Sequence, residues 1–210
     1  MNSTGVTGGV DVVRSPPRQT LWVDSLSPRR VAARLDALAA ARADRARALP
    51  GVDLVMYRMS WLGDDGRVWF AAAALEAVRR GRPLPWFLHS VVWIGLESAA
   101  VNLVLKRLVR RPRPSAHAER VHGRDLRIPT DTSFPSGHAA SAATMSVLLS
   151  QDSPLAPLYL AVAAGIGSSR VYLGLHHGTD VAVGWAVGGA FGVLGRMSAR
   201  RLERQLAAES

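Results

Sequence analysis

The stretch WFLHSVVWIGLESAAVNLVL, Trp86 to Leu105, is 20 residues long and carries a single formal charge, Glu97. As an α-helix it rises about 1.5 Å per residue, so it covers the roughly 30 Å of a bilayer's hydrocarbon core. His89, Glu97 and Asn102 break its apolar surface, so it is not a rod that faces lipid all round. Glu97 in mid-span is a functional candidate, with a structural pair to an arginine or amide inside a bundle as the alternative.

Further apolar segments lie on either side, at about Val68–Val78, His138–Leu149, Leu155–Leu173 and Val181–Leu194. Arg-Gly-Arg-Pro, Gln-Asp-Ser-Pro and a His-rich break separate them. The expected fold is all-α: a multi-pass bundle of about five transmembrane helices, with a soluble helical bundle as the alternative. Gly184, Gly188 and Gly192 recur every four residues in the last segment, a spacing that lets a neighbouring helix approach closely. In a soluble helix those glycines would cost about 1 kcal/mol each relative to alanine.

Upstream, residues 28–50 are rich in Ala and Arg. Val31, Leu35 and Leu38 fall on one face, with Arg30, Arg34, Arg42, Arg45 and Arg47 outside it. This is an amphipathic basic helix. It is suited either to anionic lipid or to packing on its own domain. Residues 1–27 are rich in Gly, Ser, Thr and Pro and read as a disordered lead. Met1 to Val13 lacks a charged region followed by an apolar one, so a cleaved signal peptide is not expected. The remainder divides into a membrane domain over 51–197 and a polar tail over 198–210.

The 210 residues suit one domain. A net charge of +10 points to anionic partners. Nucleic acid ranks low among them, because no base-reading or aromatic pattern accompanies the arginines. With no cysteine, thiolate metal sites are excluded.

Lys106 is the only lysine beside 25 arginines, and it stands seven positions before Arg113-Pro114. Pro135-Ser136-Gly137-His138 follows, and then Ser169-Arg170, His176 and Asp180. The Lys106–Arg113 stretch is also what a juxtamembrane basic cluster looks like. Ser136 and Gly137 open a helix, so backbone N–H groups and the positive helix end face an incoming anion. A plain N-cap would look the same but leaves His138, a candidate general acid, unexplained. On a helix, Asp180 shares a face with His176 and would orient its imidazole, leaving the other nitrogen as nucleophile or base. His177 fits that spacing less well. Arg170 adds a planar fork for phosphate. Such clustered cations suit a transferring phosphoryl group, whose transition state spreads negative charge over its oxygens.

In order and spacing, these motifs resemble those of the type-2 phosphatidic acid phosphatase superfamily, which also includes bacterial acid phosphatases and vanadium haloperoxidases. The resemblance covers about residues 53–195. It implies that His176 attacks phosphorus to form a phosphohistidine, His138 protonates the leaving alcohol and Asp180 orients His176. Lys106, Arg113, Ser136, Gly137 and Arg170 would bind the phosphate oxygens. Arg111-Pro112 repeats the Arg-Pro signature two residues early, and the spacing from Lys106 favours Arg113. The resemblance also implies hydrolysis with no metal or other cofactor, in keeping with a sequence that has no carboxylate cluster suited to magnesium.

The expected substrate is a lipid phosphate: polyprenyl diphosphate, phosphatidate or phosphatidylglycerol phosphate. The alternatives are a vanadium haloperoxidase-like enzyme and a catalytically silent lipid-binding protein. Five spans place the ends near Lys106, Ser136 and His176 on one membrane face. Arg79, Arg80, Arg82, Arg196, Arg200, Arg201 and Arg204 lie on the other, which the positive-inside rule makes cytoplasmic. The expected location is the cell membrane, with the active site on the extracytoplasmic face. The basic N-terminal region argues the other way. Oligomeric state has no signature in the sequence.

Overall fold

The computed structural model describes residues 27–114, 120–121, 124–125 and 132–208. Apart from Ser27, the expected disordered lead lies outside the described residues. By its internal contacts the chain divides into Met1–Arg34 and Leu35–Ser210. The described part of the first unit is the opening of helix α1, Pro28–Arg47.

The second unit is helical. Helix α2 covers Val52–Gly63, and a 3₁₀ turn, Asp64–Gly66, leads into α3, Arg67–Arg79. Helix α4, Pro83–Ala99, runs into a π-helical turn, Ala100–Leu105, and ends with one α-turn, Lys106–Leu108. Helices α5, Gly137–Leu149, α6, Ala156–Tyr172, and α7, Gly178–Ala208, complete the bundle. Two-residue strands, Arg120–Val121 and Arg124–Asp125, pair antiparallel.

The five expected apolar segments correspond to α3 through α7. Helix α2 was not among them. Its sequence, VDLVMYRMSWLG, mixes charge with apolar residues over 12 positions, too short for a bilayer-crossing pattern. It lies at one end of the bundle: Val52 and Met56 pack beside Tyr172, Leu173 and Leu175, and Gly63 abuts His138. The last helix is longer than its apolar segment and continues to Ala208, into the residues read as a polar tail.

Helix α5 is the centre. Nine of its residues, including Ala139, Ala142, Met145 and Leu148, are buried, so it is enclosed by its neighbours. Trp69 and Ala73 of α3, Ile94 of α4 and Tyr159, Ala163 and Ile166 of α6 share one core with it. Helix α7 meets α5 through its glycine row. A Cβ on Gly188 would lie 2.0 Å from the Ala140 carbonyl oxygen, and one on Gly184 would lie 2.6 Å from that of Ser136. The Thr144 hydroxyl donates to the Gly188 carbonyl at 3.0 Å. Glycine is required because the backbones touch, as the four-residue spacing predicts.

Pro83–Leu108 and Gly178–Arg204 are long and apolar enough to cross a membrane. On α4, Leu88, Val92, Leu96 and Leu103 are all at least half exposed. That apolar stripe suits a lipid boundary. At one end of the bundle, Arg80, the residue after α3, pairs with Glu203 of α7 at 3.3 Å. The other end holds the three motifs.

Candidate active site

Helices α3 to α7 alternate in direction, so the start of α3, the end of α4, the start of α5, the end of α6 and the start of α7 meet. Between them is a cavity of about 520 Å³. Lys106, Arg113, Gly137, His138 and His176 line it together with Phe70, Val91 and Ile94, which are apolar.

Lys106 reaches the cavity because of the π turn just before it. A π turn holds one residue more than an α turn, which rotates everything after it; such turns recur at functional sites. The helix stops at Leu108, Val109 is extended, and the chain bends back so that Arg113 lines the same cavity. Ser133 holds this segment, its N–H donating to the Arg111 carbonyl at 2.9 Å and its hydroxyl to the Pro112 carbonyl at 3.0 Å. Arg107 and Arg110 point outward and are exposed.

Ser136 is the N-cap of α5, its hydroxyl accepting from Ala139 N–H. Its own N–H donates to the Asp180 carbonyl at 3.0 Å, which joins the second motif to the third. Ser136 and Arg170 are buried at the edge of the site and do not line the cavity. Arg170 donates to the Ser60 hydroxyl at 2.6 Å, and its buried Nε has no protein partner.

His176 is 3% exposed and lies in the loop before α7. Its Nδ1 is 2.6 Å from the Ser133 carbonyl oxygen, which can only accept, so Nδ1 carries the proton. Nε2 is therefore the lone-pair nitrogen, and Arg113 Nη1 donates toward it at 3.2 Å. Burial, with the Arg170 and Arg113 guanidiniums beside it, pushes the His176 pKa down to about 2. A neutral imidazole with its lone pair on Nε2 has the protonation state of a nucleophile.

The expectation that Asp180 orients His176 through a direct bond is corrected here. It assumed that both residues sit on one helix, but His176 precedes α7, and its Nδ1 is 3.9 Å from Asp180 Oδ2. Asp180 Oδ2 instead accepts from His177 N–H at 2.8 Å and lies 3.1 Å from His177 Nδ1. Asp180 Oδ1 accepts from Arg111 at 2.6 Å. Ser133 holds the ring, and Asp180 holds the turn that carries it.

His138 lies across the cavity from this loop, and its Nε2 donates to Asp64 Oδ1 at 2.9 Å. Asp64 went unnoticed in the sequence, as did Ser133 and Asp36. Asp64 sits in a Gly-Asp-Asp-Gly turn that reads as a simple connector, and nothing near Asp36 or Ser133 marks either residue. Asp36 Oδ1 accepts from Thr179 N–H and Oγ1, both at 2.8 Å, and its Oδ2 accepts from Arg111 at 2.5 Å. Arg111, the earlier of the two Arg-Pro pairs, thus joins two carboxylates behind the site, and Arg113 faces His176.

Glu97 is fully buried on α4. One carboxylate oxygen accepts from Ser141 of α5 at 2.6 Å, and the other has no protein partner.

Comparison with known proteins places this arrangement in context. A family model described as "PAP2 superfamily" matches residues 86–203. The decaprenylphosphoryl-5-phosphoribose phosphatase of Mycobacterium tuberculosis is 33% identical over 184 residues, covering 83% of this chain and 97% of that protein. Among solved structures, the transmembrane PAP2 type phosphatidylglycerolphosphate phosphatase of Bacillus subtilis is similar, with a TM-score of 0.64 at 25% identity. The match covers 87% of this chain and 92% of that one. LpxE of Aquifex aeolicus is similar at a TM-score of 0.56 and 29% identity, over 70% of this chain and 86% of its own.

Proposed function

The chain belongs to the PAP2 superfamily and is a membrane phosphatase, and from that premise we propose that it hydrolyses a polyprenyl-linked lipid phosphate through a phosphohistidine intermediate. The observation that carries the reading is the pairing of His176 Nε2, unprotonated, with the Arg113 guanidinium at 3.2 Å, in a cavity that Phe70, Val91 and Ile94 also line. Such a cavity takes a phosphate at one end and the first part of a lipid at the other.

In the proposed reaction the Nε2 lone pair attacks phosphorus, and the bond from phosphorus to the ester oxygen breaks. His138 starts as the imidazolium, its Nε2–H held by Asp64, and the leaving oxygen takes the proton from its other ring nitrogen. Water then attacks the phosphohistidine, giving up a proton to His138. The N–P bond breaks, inorganic phosphate leaves, and both histidines return to their starting states. Lys106 and Arg113, with the α5 N-terminus at Ser136 and Gly137, balance the charge on the phosphoryl oxygens. Arg170 adds positive potential from behind. No step is assigned to a metal.

The polyprenyl assignment rests on the relative that is 33% identical across nearly its whole length. We read α3 through α7 as five passes, a reading supported by the alternation that brings their ends to one cavity and by the two helices, Pro83–Leu108 and Gly178–Arg204, that are long and apolar enough to cross a membrane. The arginines at the opposite end, among them Arg80 beside Glu203, favour a cytoplasmic position for that end and an extracytoplasmic active site.

The test is phosphate release by the purified protein from polyprenyl-linked sugar phosphate, polyprenyl diphosphate, phosphatidate and phosphatidylglycerol phosphate, with and without chelator. Release that survives the chelator, is blocked by vanadate and is absent in His176→Ala supports the reading. Turnover that requires added metal, or that persists in His176→Ala, overturns it.

A further inference from the structure

Helix α1 lies outside all three motifs, yet one of its side chains reaches the loop that carries His176. We propose that Asp36 is a positioning residue for that loop, acting as an N-cap supplied to α7 from another helix and as an anchor for Arg111. The proposal rests on the phosphohistidine reading for its kinetic consequence and stands on geometry for its structural one.

The first N–H groups of any helix lack partners inside the helix. In α7 the N–H of Thr179 is satisfied by Asp36 Oδ1 at 2.8 Å, and the same oxygen takes the Thr179 hydroxyl at 2.8 Å. A carboxylate at that end of a helix is also favoured by the helix dipole. The second Asp36 oxygen takes Arg111 Nη2 at 2.5 Å, and Nη1 of the same guanidinium reaches Thr179 Oγ1 at 2.7 Å and Asp180 Oδ1 at 2.6 Å. The groups close a ring in which each donor has an acceptor. Burial alone would raise the Asp36 pKa, but the Arg111 and Thr179 hydrogen bonds outweigh it and hold the carboxyl below its ordinary value.

The ring sits against the nucleophile's loop. Asp180, held by Arg111, accepts His177 N–H, and His177 follows His176 directly. Gly178 is so close to α1 that an added Cβ would lie 2.6 Å from that of Ala39. Loss of the Asp36 carboxylate leaves Thr179 N–H without its acceptor and Arg111 with one anion in place of two. The loop is then free to shift, and a displacement of about 1 Å at a reacting atom can cost on the order of 100-fold in rate.

The experiment compares full-length wild type with Asp36→Asn, Asp36→Ala, Arg111→Ala and the Asp36→Ala/Arg111→Ala double variant. Asp44→Asn, an exposed carboxylate of the same helix, is the control. Three quantities are read: kcat and KM for phosphate release, the thermal midpoint in detergent, and amide hydrogen exchange at Thr179 and Asp180. The expected result is a fall in kcat of about 10- to 100-fold with KM changed less than about threefold, together with faster exchange at Thr179. The double variant should lose no more than the worse single, as members of one network do, and Asp44→Asn should match wild type. Wild-type kcat in Asp36→Asn, or a loss that merely follows the thermal midpoint, overturns the proposal. If wild type hydrolyses no lipid phosphate, the functional reading fails by itself. The exchange arm still decides on the cap, since unchanged protection at Thr179 would overturn it.

Discussion

Asp64 holds His138 by a 2.9 Å hydrogen bond from Nε2, and Gly63 beside it leaves no room for a Cβ, which would meet the ring at 3.1 Å. The proposed acid is thus fixed in place from α2 and the turn that follows it, elements remote from the three motifs in sequence.

Asp64→Asn keeps the shape of the contact and removes the charge. A general acid matters most when the leaving group is poor, and general acid-base catalysis is worth about 100- to 10,000-fold in all. The variant should slow release of a lipid alkoxide by about 10- to 100-fold and barely affect an aryl phosphate with a good leaving group. Parallel rate measurements on the two substrates check this, and equal losses would remove Asp64 from the proton-transfer step.

His176 stays neutral in the folded protein down to about pH 2, against an ordinary value of 6.5. Between those values the unfolded chain binds the proton and the folded one does not, so stability rises with pH across that window. As pH falls below about 6.5 the thermal midpoint should therefore drop, and less steeply in His176→Asn than in wild type. Midpoints recorded from pH 4 to 8 would show it; parallel curves for the two proteins would refute the assignment.

Asp180→Asn acts on the turn and not directly on the His176 ring. The amide still has an oxygen for His177 N–H but loses the charge facing Arg111 at 2.6 Å. We expect turnover slower by about 10- to 100-fold, less than for a carboxylate bonded to the nucleophile itself. Stability should fall by about 1–3 kcal/mol. Single-turnover kinetics and thermal midpoints test both; a loss as complete as that of His176→Ala would mean that Asp180 and His176 bond directly in the working enzyme.

The glycine row of α7 separates packing from catalysis. A Cβ at Gly184 would strike the Ser136 carbonyl at 2.6 Å, whereas one at Gly189 would have nothing within 4 Å. Gly184→Ala should displace the phosphate-binding turn and lower kcat by about tenfold or more, with an overpacking cost of about 1–3 kcal/mol. Gly189→Ala should be neutral or slightly stabilising. Activity and melting of the pair measure the contrast.

Much of this was readable from the chain alone, and the residues explain why. The apolar segments carry their own period, and the glycine spacing on α7 carries the closeness of its contact with α5, so the helices and one pairing could be inferred. Lys106, Arg113, His138 and His176 were readable because each motif fixes a short-range geometry and only the bundle's alternation is needed to bring them together. Asp36 and Asp64 were not. Each acts by touching a motif residue more than 70 positions away, and a carboxylate in a turn or on a basic helix has no local pattern to mark it. The spacing between His176 and Asp180 misled for a related reason. It assumed a helix where the chain turns, so the ring found a backbone carbonyl, a partner that no side-chain pattern records.

The π turn at Ala100–Leu105 makes the length of the chain before Lys106 a counted quantity. Removal of one residue would let the turn tighten to ordinary α geometry and leave the later side chains on their present faces, because the deletion takes out the residue the turn holds in excess, whereas one added residue would swing every later side chain by about 100°. With one residue added, the ammonium would face away from the cavity with the bundle intact. This segment therefore absorbs a lost residue but not a gained one, and a one-residue insertion there would yield a folded protein that has lost its grip on phosphate.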